Sequence, residues 1–356
     1  MKFNLSVILF VGFLIISCSS GYYGEKDFYK LRKFDAHFHF NSTRDAAVKQ
    51  AEADNFKLLT INVNTGDCND VKTQCSQAVY QQEKNPDRVV CAATFCMDGF
   101  GSPDWLKVTE LWLDSCFHKG AIAVKVWKNI GMSYRDESGK LVMIDDPRFD
   151  PLFDWLAAKK IPVVGHLGEP KNCWLPLSKM TTTNDSSYYS QHPQYHMFLH
   201  PDLPSYEAQM AARDHMLAKH PDLKFIGAHL ASLEWSVDEI ASYFDKYPNA
   251  AVDMAERMGQ LFYQTRTERE KVRNFFLKYQ DRILYGTDMG DDGKSDPVAL
   301  VQKMHQTRLN DWEYLTTDEQ MTSQLIHGGF QGIKLPREVI DKIYWRNAVK
   351  WYGIKL

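Results

Sequence analysis

The segment KFDAHFH, residues 33–39, contains the pattern that decides the fold and the chemistry of this chain. It is short and β-rich, and it ends in two histidines, His37 and His39. Side chains two residues apart in a strand point to the same side, so both imidazoles aim at one point. Imidazole suits zinc and similar divalent ions, and this spacing therefore predicts a metal site at the end of the first strand.

Seven more β-rich runs follow, and helix-like stretches separate them. Strict alternation of strand and helix predicts a parallel sheet. Eight repeats predict an α/β fold, a closed (β/α)₈ TIM barrel, and 356 residues suit one such domain with insertions. The strands are predicted at 33–39, 58–63, 89–95, 121–127, 162–166, 224–229, 250–254 and 282–287. The helices are predicted near 43–56, 71–85, 104–119, 148–160, 205–220, 235–247, 265–280 and 336–352.

Two stretches interrupt this alternation, 168–204 after the fifth strand and 289–335 after the eighth. Both follow the carboxyl end of a strand, so both are predicted as insertions on the barrel face where active sites are built. Long loops at such a face are usually lids or substrate walls. Residues 33–356 are therefore interpreted as a single barrel domain.

Residues 1–17 have the pattern of a lipoprotein signal peptide. A positive residue precedes the apolar run 7–16, which is too short to span a membrane as a helix, and IISC at 15–18 resembles a bacterial lipobox. Cys18 would then be lipidated and residues 18–32 would form a tether. Export to the cell envelope and anchoring to a membrane surface are expected from this pattern. The alternative is an ordinary signal peptide in which Cys18 is incidental.

The amino-acid composition limits the classes of partner that are expected. The formal net charge is -3, and no basic run with interleaved aromatics is present, so nucleic acid is not an expected partner. A small-molecule substrate is expected, and the sequence is compatible with a homo-oligomer. Export permits disulfides among the remaining cysteines. Cys68 and Cys75 could pair, whereas Cys91 and Cys96 lie in an apolar run and are interpreted as small core residues.

Three further polar residues each follow an apolar β run. His166 ends the fifth strand (PVVGHLGEP), His229 ends the sixth (FIGAHLAS) and Asp288 ends the eighth (YGTDMG). A charged or imidazole group at the carboxyl end of a barrel strand is typical of a catalytic residue, because that rim surrounds the open mouth. Burying these groups together would be costly unless a metal compensates them.

These pieces resemble a known family, the amidohydrolase superfamily and specifically its amidohydrolase-related branch. The motifs DAHFH, VVGHLGEP, FIGAHL and YGTD occur in the family's order, and the resemblance extends over roughly residues 33–352. It implies that His37, His39 and His166 bind a divalent metal through ring nitrogens. Asp288 would be a metal ligand, the general base, or both. His229 would stand beside the metal and orient or activate water and the polarised substrate oxygen.

Lys125 on the fourth strand decides the expected number of metal ions. Many relatives have a carbamylated lysine there that bridges two metals, whereas the amidohydrolase-related branch more often holds one metal without such a bridge. Lys125 could instead bind a substrate carboxylate, or pair with Asp288 or Asp35. We expect a non-bridging role and hence one ion, zinc first and manganese or iron as alternatives.

Further residues near strand ends are predicted to contact substrate. Glu169 follows His166, Trp174 lies in the first insertion, and Arg257 follows the seventh strand, where it could clamp an anionic group. For Glu169 and for Arg257 with its neighbour Glu256, a structural ion pair is the alternative. Asp35 precedes the two histidines and is expected to orient a ligand.

The predicted activity is hydrolysis of a small-molecule amide, lactone or ester. A metal with three protein ligands and an open position makes water acidic enough to react near neutral pH, and a nearby carboxylate can then accept the proton. The alternative is a metal-dependent non-oxidative decarboxylase or hydratase with the same residues. A third hypothesis, a non-catalytic binding lipoprotein, is disfavoured because all five positions of the site are filled.

Overall fold

The computed structural model describes residues 21–64 and 67–354. The expected signal peptide and the lipidation site Cys18 lie outside these residues. The described end of the expected tether packs against the barrel, where Phe28 is fully buried and its ring lies 5.8 Å from that of Trp312. None of the helices in the described part of the chain is long and apolar enough to cross a membrane.

Nine parallel strands form one sheet, which confirms the expected barrel. Each of β1 to β7 pairs with the next, and β9 pairs with β1. The closure also uses backbone hydrogen bonds from Ala36 N to Tyr285 O (2.8 Å) and from Asp288 N to His37 O (2.8 Å). The strands are β1 Lys33–Phe40, β2 Phe56–Ile61, β3 Val89–Ala93, β4 Ala121–Val126, β5 Val163–Gly165, β6 Phe225–Gly227, β7 Ala250–Asp253, β8 Ile283–Leu284 and β9 Met289–Asp291.

Helices alternate with these strands and cover the barrel. Several begin at a side chain that caps free backbone N–H groups, as Ser205, Ser236 and Asp296 do. The helices are α1 Ala46–Ala53, α2 Cys68–Lys84, α3 Trp105–His118, α4 Asn129–Met132, α5 Asp150–Ala158, α6 Thr183–Gln191, α7 Tyr206–Lys219, the short left-handed turn α8 Ala228–Ala231, α9 Val237–Lys246, α10 Met258–Lys278, α11 Pro297–Thr316, α12 Arg337–Asp341 and α13 Asn347–Tyr352.

The region after the eighth strand differs from the expectation of a loop insertion. Residues 289–335 contain β9, the 20-residue helix α11 and a small hairpin of Gln320–Met321 with Phe330–Gln331. Helix α11 packs against α1 on the outside of the barrel. Asp296 followed by Pro297 is a helix-start signal, since Asp296 accepts hydrogen bonds from two backbone N–H groups.

The C-terminal helix has a different place from the one its position in the chain suggests. A π-helical turn, Lys342–Arg346, joins α12 to α13. Trp351 and Tyr352 are buried with the residues that fill the barrel interior, and the Tyr352 ring lies 6.1 Å from that of Phe34. This segment therefore closes the amino-terminal end of the barrel.

The insertion after β5 has a small core of its own. Cys173, Tyr189 and Met197 are buried together, and Met132 and Leu203 pack against them. Helix α6 and several 3₁₀ turns make up the rest of residues 168–204. The insertion is consequently a folded layer over one side of the barrel mouth.

The disulfide is not the expected one. Cys68 pairs with Cys96, so Cys96 is not a core thiol and Cys68 does not pair with Cys75. Cys75 is buried, and its Sγ lies 3.8 Å from that of Cys116. The reason is topological: Cys68 follows β2 and Cys96 follows β3, and the carboxyl ends of these neighbouring strands meet at one edge.

Candidate metal centre

The carboxyl ends of β1, β6 and β8 bring the site residues to the barrel mouth through unusual backbone conformations. His229 and Asp288 both have positive φ, +58° and +59°. Residues 229–232 form four consecutive left-handed residues, a conformation that L-amino acids avoid at a cost of about 1–2 kcal/mol each. A Cβ on Gly227 would lie 2.4 Å from the Cβ of Ala231, so the turn requires glycine before it.

Three imidazoles are held so that their Nε2 atoms carry lone pairs. His37 Nδ1 donates to Asp253 Oδ2 (2.9 Å), His39 Nδ1 donates to Ile61 O (2.8 Å) and His229 Nδ1 donates to Ala255 O (2.9 Å). A neutral imidazole has one N–H, so the other nitrogen of each ring is an acceptor. Burial lowers the pKa of His37 and of His229, which favours their neutral forms.

Asp288 lies among these acceptor nitrogens. Its Oδ1 is 3.3 Å from His37 Nε2 and 3.0 Å from His39 Nε2, and its Oδ2 is 3.9 Å from His229 Nε2. Ionised carboxylate and neutral imidazole lone pairs repel at these distances unless a cation lies between them. Since His37, His39 and Asp288 have ligand atoms within 4.8 Å of one another, the residues fit a divalent metal.

His166 lies next to His229, outside the group formed by His37, His39 and Asp288. Its Nδ1 is 3.2 Å from His229 Nε2, and the two ring centroids are 4.2 Å apart. Because His229 Nε2 is an acceptor, His166 Nδ1 donates to it and His166 Nε2 carries the lone pair. That Nε2 is buried and finds no hydrogen-bond donor among the described residues. The unmet acceptor beside the metal trio is a second indication that a cation belongs here.

Asp253 is a site residue that sequence reasoning missed. It ends β7, is fully buried, and accepts from His37 Nδ1 through Oδ2 and from the backbone N–H groups of His229 (2.8 Å) and Ala255 (3.1 Å) through Oδ1. Burial acts to raise its pKa, but the neighbouring His37 keeps that pKa below its usual value. Its signal was the same as for the other strands: in AAVDM an acidic residue follows a buried apolar run.

Lys125 reaches the site from β4. Its Nζ is 3.3 Å from His37 Nε2, and the side chain is fully buried. Burial lowers the pKa of Lys125 to about 8, although Asp253 and Asp288 oppose this shift. Asp35, which was one of the two predicted carboxylate partners of Lys125, is hydrogen-bonded by other groups.

Asp35 orients the site through the backbone. Its carboxylate accepts from His37 N (3.3 Å), from Thr287 N (3.0 Å) and from Thr287 Oγ1 (2.7 Å). Asp35 therefore links His37, the first of the two histidines, to Thr287, the residue before Asp288. Arg308 of α11, also fully buried, bridges Asp35 (3.3 Å) and Asp54 (3.4 Å) from the outer layer.

The residues predicted to contact substrate have separate surroundings. Glu169 is buried, contacts Lys128 Nζ through Oε1, and has Oε2 3.8 Å from His166 Nε2. Trp174 donates to Pro204 O (3.2 Å) and supports the insertion. Arg257 is 5% exposed; it donates to Glu256 O, and its Nε lacks an acceptor within the described residues. Glu169 therefore lies against His166, and the charge of Arg257 acts with burial to lower the pKa of His166.

The fold of this chain is similar to that of several solved structures. Similar solved structures include a TIM-barrel protein of Bordetella bronchiseptica (14% identity, TM-score 0.55, covering 91% of this chain and 100% of that one). A 2,6-dihydroxybenzoate decarboxylase from Rhizobium is also similar (14%, TM-score 0.54, 90% and 98%). So is a 4-oxalomesaconate hydratase from Rhodopseudomonas palustris (12%, TM-score 0.50, 90% and 95%).

These identities are low, so the likeness to solved structures establishes the fold alone. No curated protein matches the sequence. The family model described as amidohydrolase, however, matches residues 35–354, which is nearly the whole described chain. The chain therefore belongs to the amidohydrolase family.

Proposed function

We propose that the protein is a metal-dependent hydrolase that cleaves an amide, lactone or ester bond in a small molecule. The observation that carries this proposal is the arrangement of His37, His39 and His229, whose Nε2 lone pairs surround the ionised Asp288. The lone pairs and the carboxylate repel one another, so this arrangement is electrostatically favourable only with a cation and a transferable proton among them.

His37, His39 and Asp288 would hold the metal, and His166 would be the fourth residue of the set. Nitrogen and carboxylate donors suit zinc, which we propose as the resident ion, with a single site. When bound, the metal would supply Lewis-acid chemistry, which polarises a substrate carbonyl and makes water more acidic.

The protein's own groups would move the proton. His229 keeps its Nδ1–H on Ala255 O (2.9 Å), so its Nε2 is the acceptor nitrogen, and it faces His166 and Asp288. Asp288 Oδ2 lies 3.9 Å from that nitrogen. The two groups are therefore placed to pass a proton taken from water to the leaving group, as general acid–base catalysis requires.

The test is removal and return of the metal. We expect a strong chelator to abolish turnover of 4-nitrophenyl acetate, a simple lactone or an anilide, and added zinc to restore it. Elemental analysis of the same samples serves as the control for metal content. Full turnover in protein shown to be free of metal contradicts the proposal.

A second candidate is non-oxidative decarboxylation or hydration, favoured by the names of two proteins with this fold, the Rhizobium decarboxylase and the R. palustris hydratase. The buried ammonium of Lys125, 3.3 Å from His37 Nε2, would suit a substrate carboxylate in that chemistry. Product analysis separates the candidates, because hydrolysis generates a new carboxylic acid, hydration adds water across a double bond, and decarboxylation removes a carboxylate as carbon dioxide.

We further propose that the protein is exported and anchored by lipid on Cys18. The Cys68–Cys96 disulfide supports an oxidising compartment, since disulfides persist there and are rare in the cytosol. The expected result is that Cys18→Ala moves the protein from the membrane fraction to the soluble fraction. A wild-type protein already found in the soluble fraction contradicts this proposal.

A further inference from the structure

A cavity opens beside the metal centre, between the segment that follows β4 and the insertion after β5. Its volume is about 230 Å³. The floor contains Lys128 and Glu169, and the walls are formed by Trp127, Met132, Met197 and Leu203. All of these residues follow the carboxyl ends of β4 and β5, so the cavity belongs to the same face of the barrel as the metal residues.

Glu169 connects the cavity to the metal centre. One carboxylate oxygen contacts Lys128 at the cavity floor, and the other lies 3.8 Å from His166 Nε2. His166 in turn contacts His229 at 3.2 Å. Glu169 therefore lines the cavity and also lies against the metal centre, so one side chain separates the cavity from the imidazoles.

The charges at the floor compensate each other. Lys128 Nζ and Glu169 Oε1 are in direct contact, and Glu169 is only 6% exposed. A further charged group placed in the cavity would be desolvated without a counterion of its own, which is costly. An uncharged group carries no such cost.

The walls favour an apolar occupant. An indole, two thioethers, a leucine side chain and the half-exposed ring of Tyr195 line the space, together with the uncharged polar residues Asn129, Ser133 and Gln194. Apolar and aromatic walls with a few polar groups are the usual construction of small-molecule sites. Methionine adapts to groups of varied shape.

We propose that this cavity is the subsite for an uncharged apolar group, aryl or alkyl, of the substrate. The inference rests on the proposed function, because it identifies the substrate of the metal centre as a molecule with a hydrophobic part beside its hydrolysable bond. Its test measures binding, so it does not depend on turnover.

The experiment compares two tryptophan substitutions in the metal-loaded protein. Ser133 lines the cavity and is exposed, so Ser133→Trp fills the cavity without disturbing the core. Ser190→Trp places the same side chain on the exposed surface of α6, away from the cavity, and is the matched control. Benzamide is the neutral probe and benzamidinium its cationic isostere, both observed by saturation-transfer NMR and titration.

We expect benzamide to bind the wild type and Ser190→Trp equally, and Ser133→Trp about tenfold or more weakly. Benzamidinium should bind the wild type more weakly than benzamide. Equal benzamide affinity in all three proteins, or tighter binding of benzamidinium, overturns the assignment. Loss of benzamide binding in Ser133→Trp without any hydrolytic activity supports the subsite and refutes the hydrolase proposal alone. If the protein hydrolyses a substrate but Ser133→Trp leaves its affinity for benzamide unchanged, the hydrolase proposal is supported and the subsite alone is refuted.

Discussion

Asp253→Asn is expected to weaken metal binding without unfolding the protein. The substituted amide keeps an oxygen for the backbone N–H groups of His229 and Ala255, which now bind Oδ1 at 2.8 and 3.1 Å. Its NH₂ group, however, replaces the oxygen that accepts from His37 Nδ1 at 2.9 Å. Two donors cannot face each other, so His37 must move its proton to Nε2. The lone pair that faces Asp288 and the metal position is then lost.

The size of the effect follows from the role of Asp253. Loss of a group that orients a metal-binding histidine typically lowers metal affinity about 10- to 100-fold, which corresponds to about 1.4 to 2.8 kcal/mol. The variant also removes a carboxylate that supports the charge of Lys125, so the pKa of that lysine should fall further below about 8.

The assay is competition for zinc with a chromogenic chelator at neutral pH, together with thermal unfolding of the metal-free protein. Asp185→Asn is the control, because Asp185 is also a buried carboxylate but binds the amides of Asn172 and Gln260. Unchanged zinc affinity in Asp253→Asn, or an equal loss in Asp185→Asn, would refute the assignment of the His37 tautomer.

Three other expectations concern the proton acceptor, the buried acids and the disulfide. His229→Gln should lower turnover about 10²- to 10⁴-fold with one zinc still bound, and loss of zinc together with turnover would make His229 a ligand instead. Burial raises the pKa of Asp311 to about 7. Its contribution to stability is therefore complete below its usual pKa and is lost as the pH rises through about 7. The melting temperature of the wild type should therefore fall relative to that of Asp311→Asn between about pH 4 and pH 8. A difference in melting temperature that stays constant over this range contradicts the expectation. Replacing Cys68 and Cys96 by serine should lower the free energy of unfolding by about 3–4 kcal/mol, given the separation of 28 residues, and reduced wild type should show the same urea midpoint.

The sequence allowed the barrel and most of the site to be predicted for one physical reason. A polar residue directly after a buried apolar strand has no place except the mouth, so His37, His39, His229 and Asp288 could be grouped without coordinates. Asp253 meets the same criterion, but the sequence interpretation selected Glu256 and Arg257, which follow it by three and four residues.

Other features depend on how distant segments approach one another, which periodicity does not encode. The Cys68–Cys96 pairing follows from the adjacency of the loops after β2 and β3, whereas the sequence spacing favoured a shorter pairing. Likewise, α11 was expected as part of an insertion because the final helix could fill the eighth position. Only packing shows that α11 lies against α1 and that the final segment lies beneath the barrel.

That arrangement beneath the barrel constrains the order of folding. Trp351 and Tyr352 come after every strand in the chain, yet Tyr352 covers Phe34 in the first strand. Water is excluded from the lower interior only when these two ends of the domain have met, so the last step of burial needs a contact between residues more than three hundred positions apart. Loop closure over such distances slows folding. The proposed export would gain from that delay, because the interior of the barrel cannot be sealed before the C-terminal segment is present.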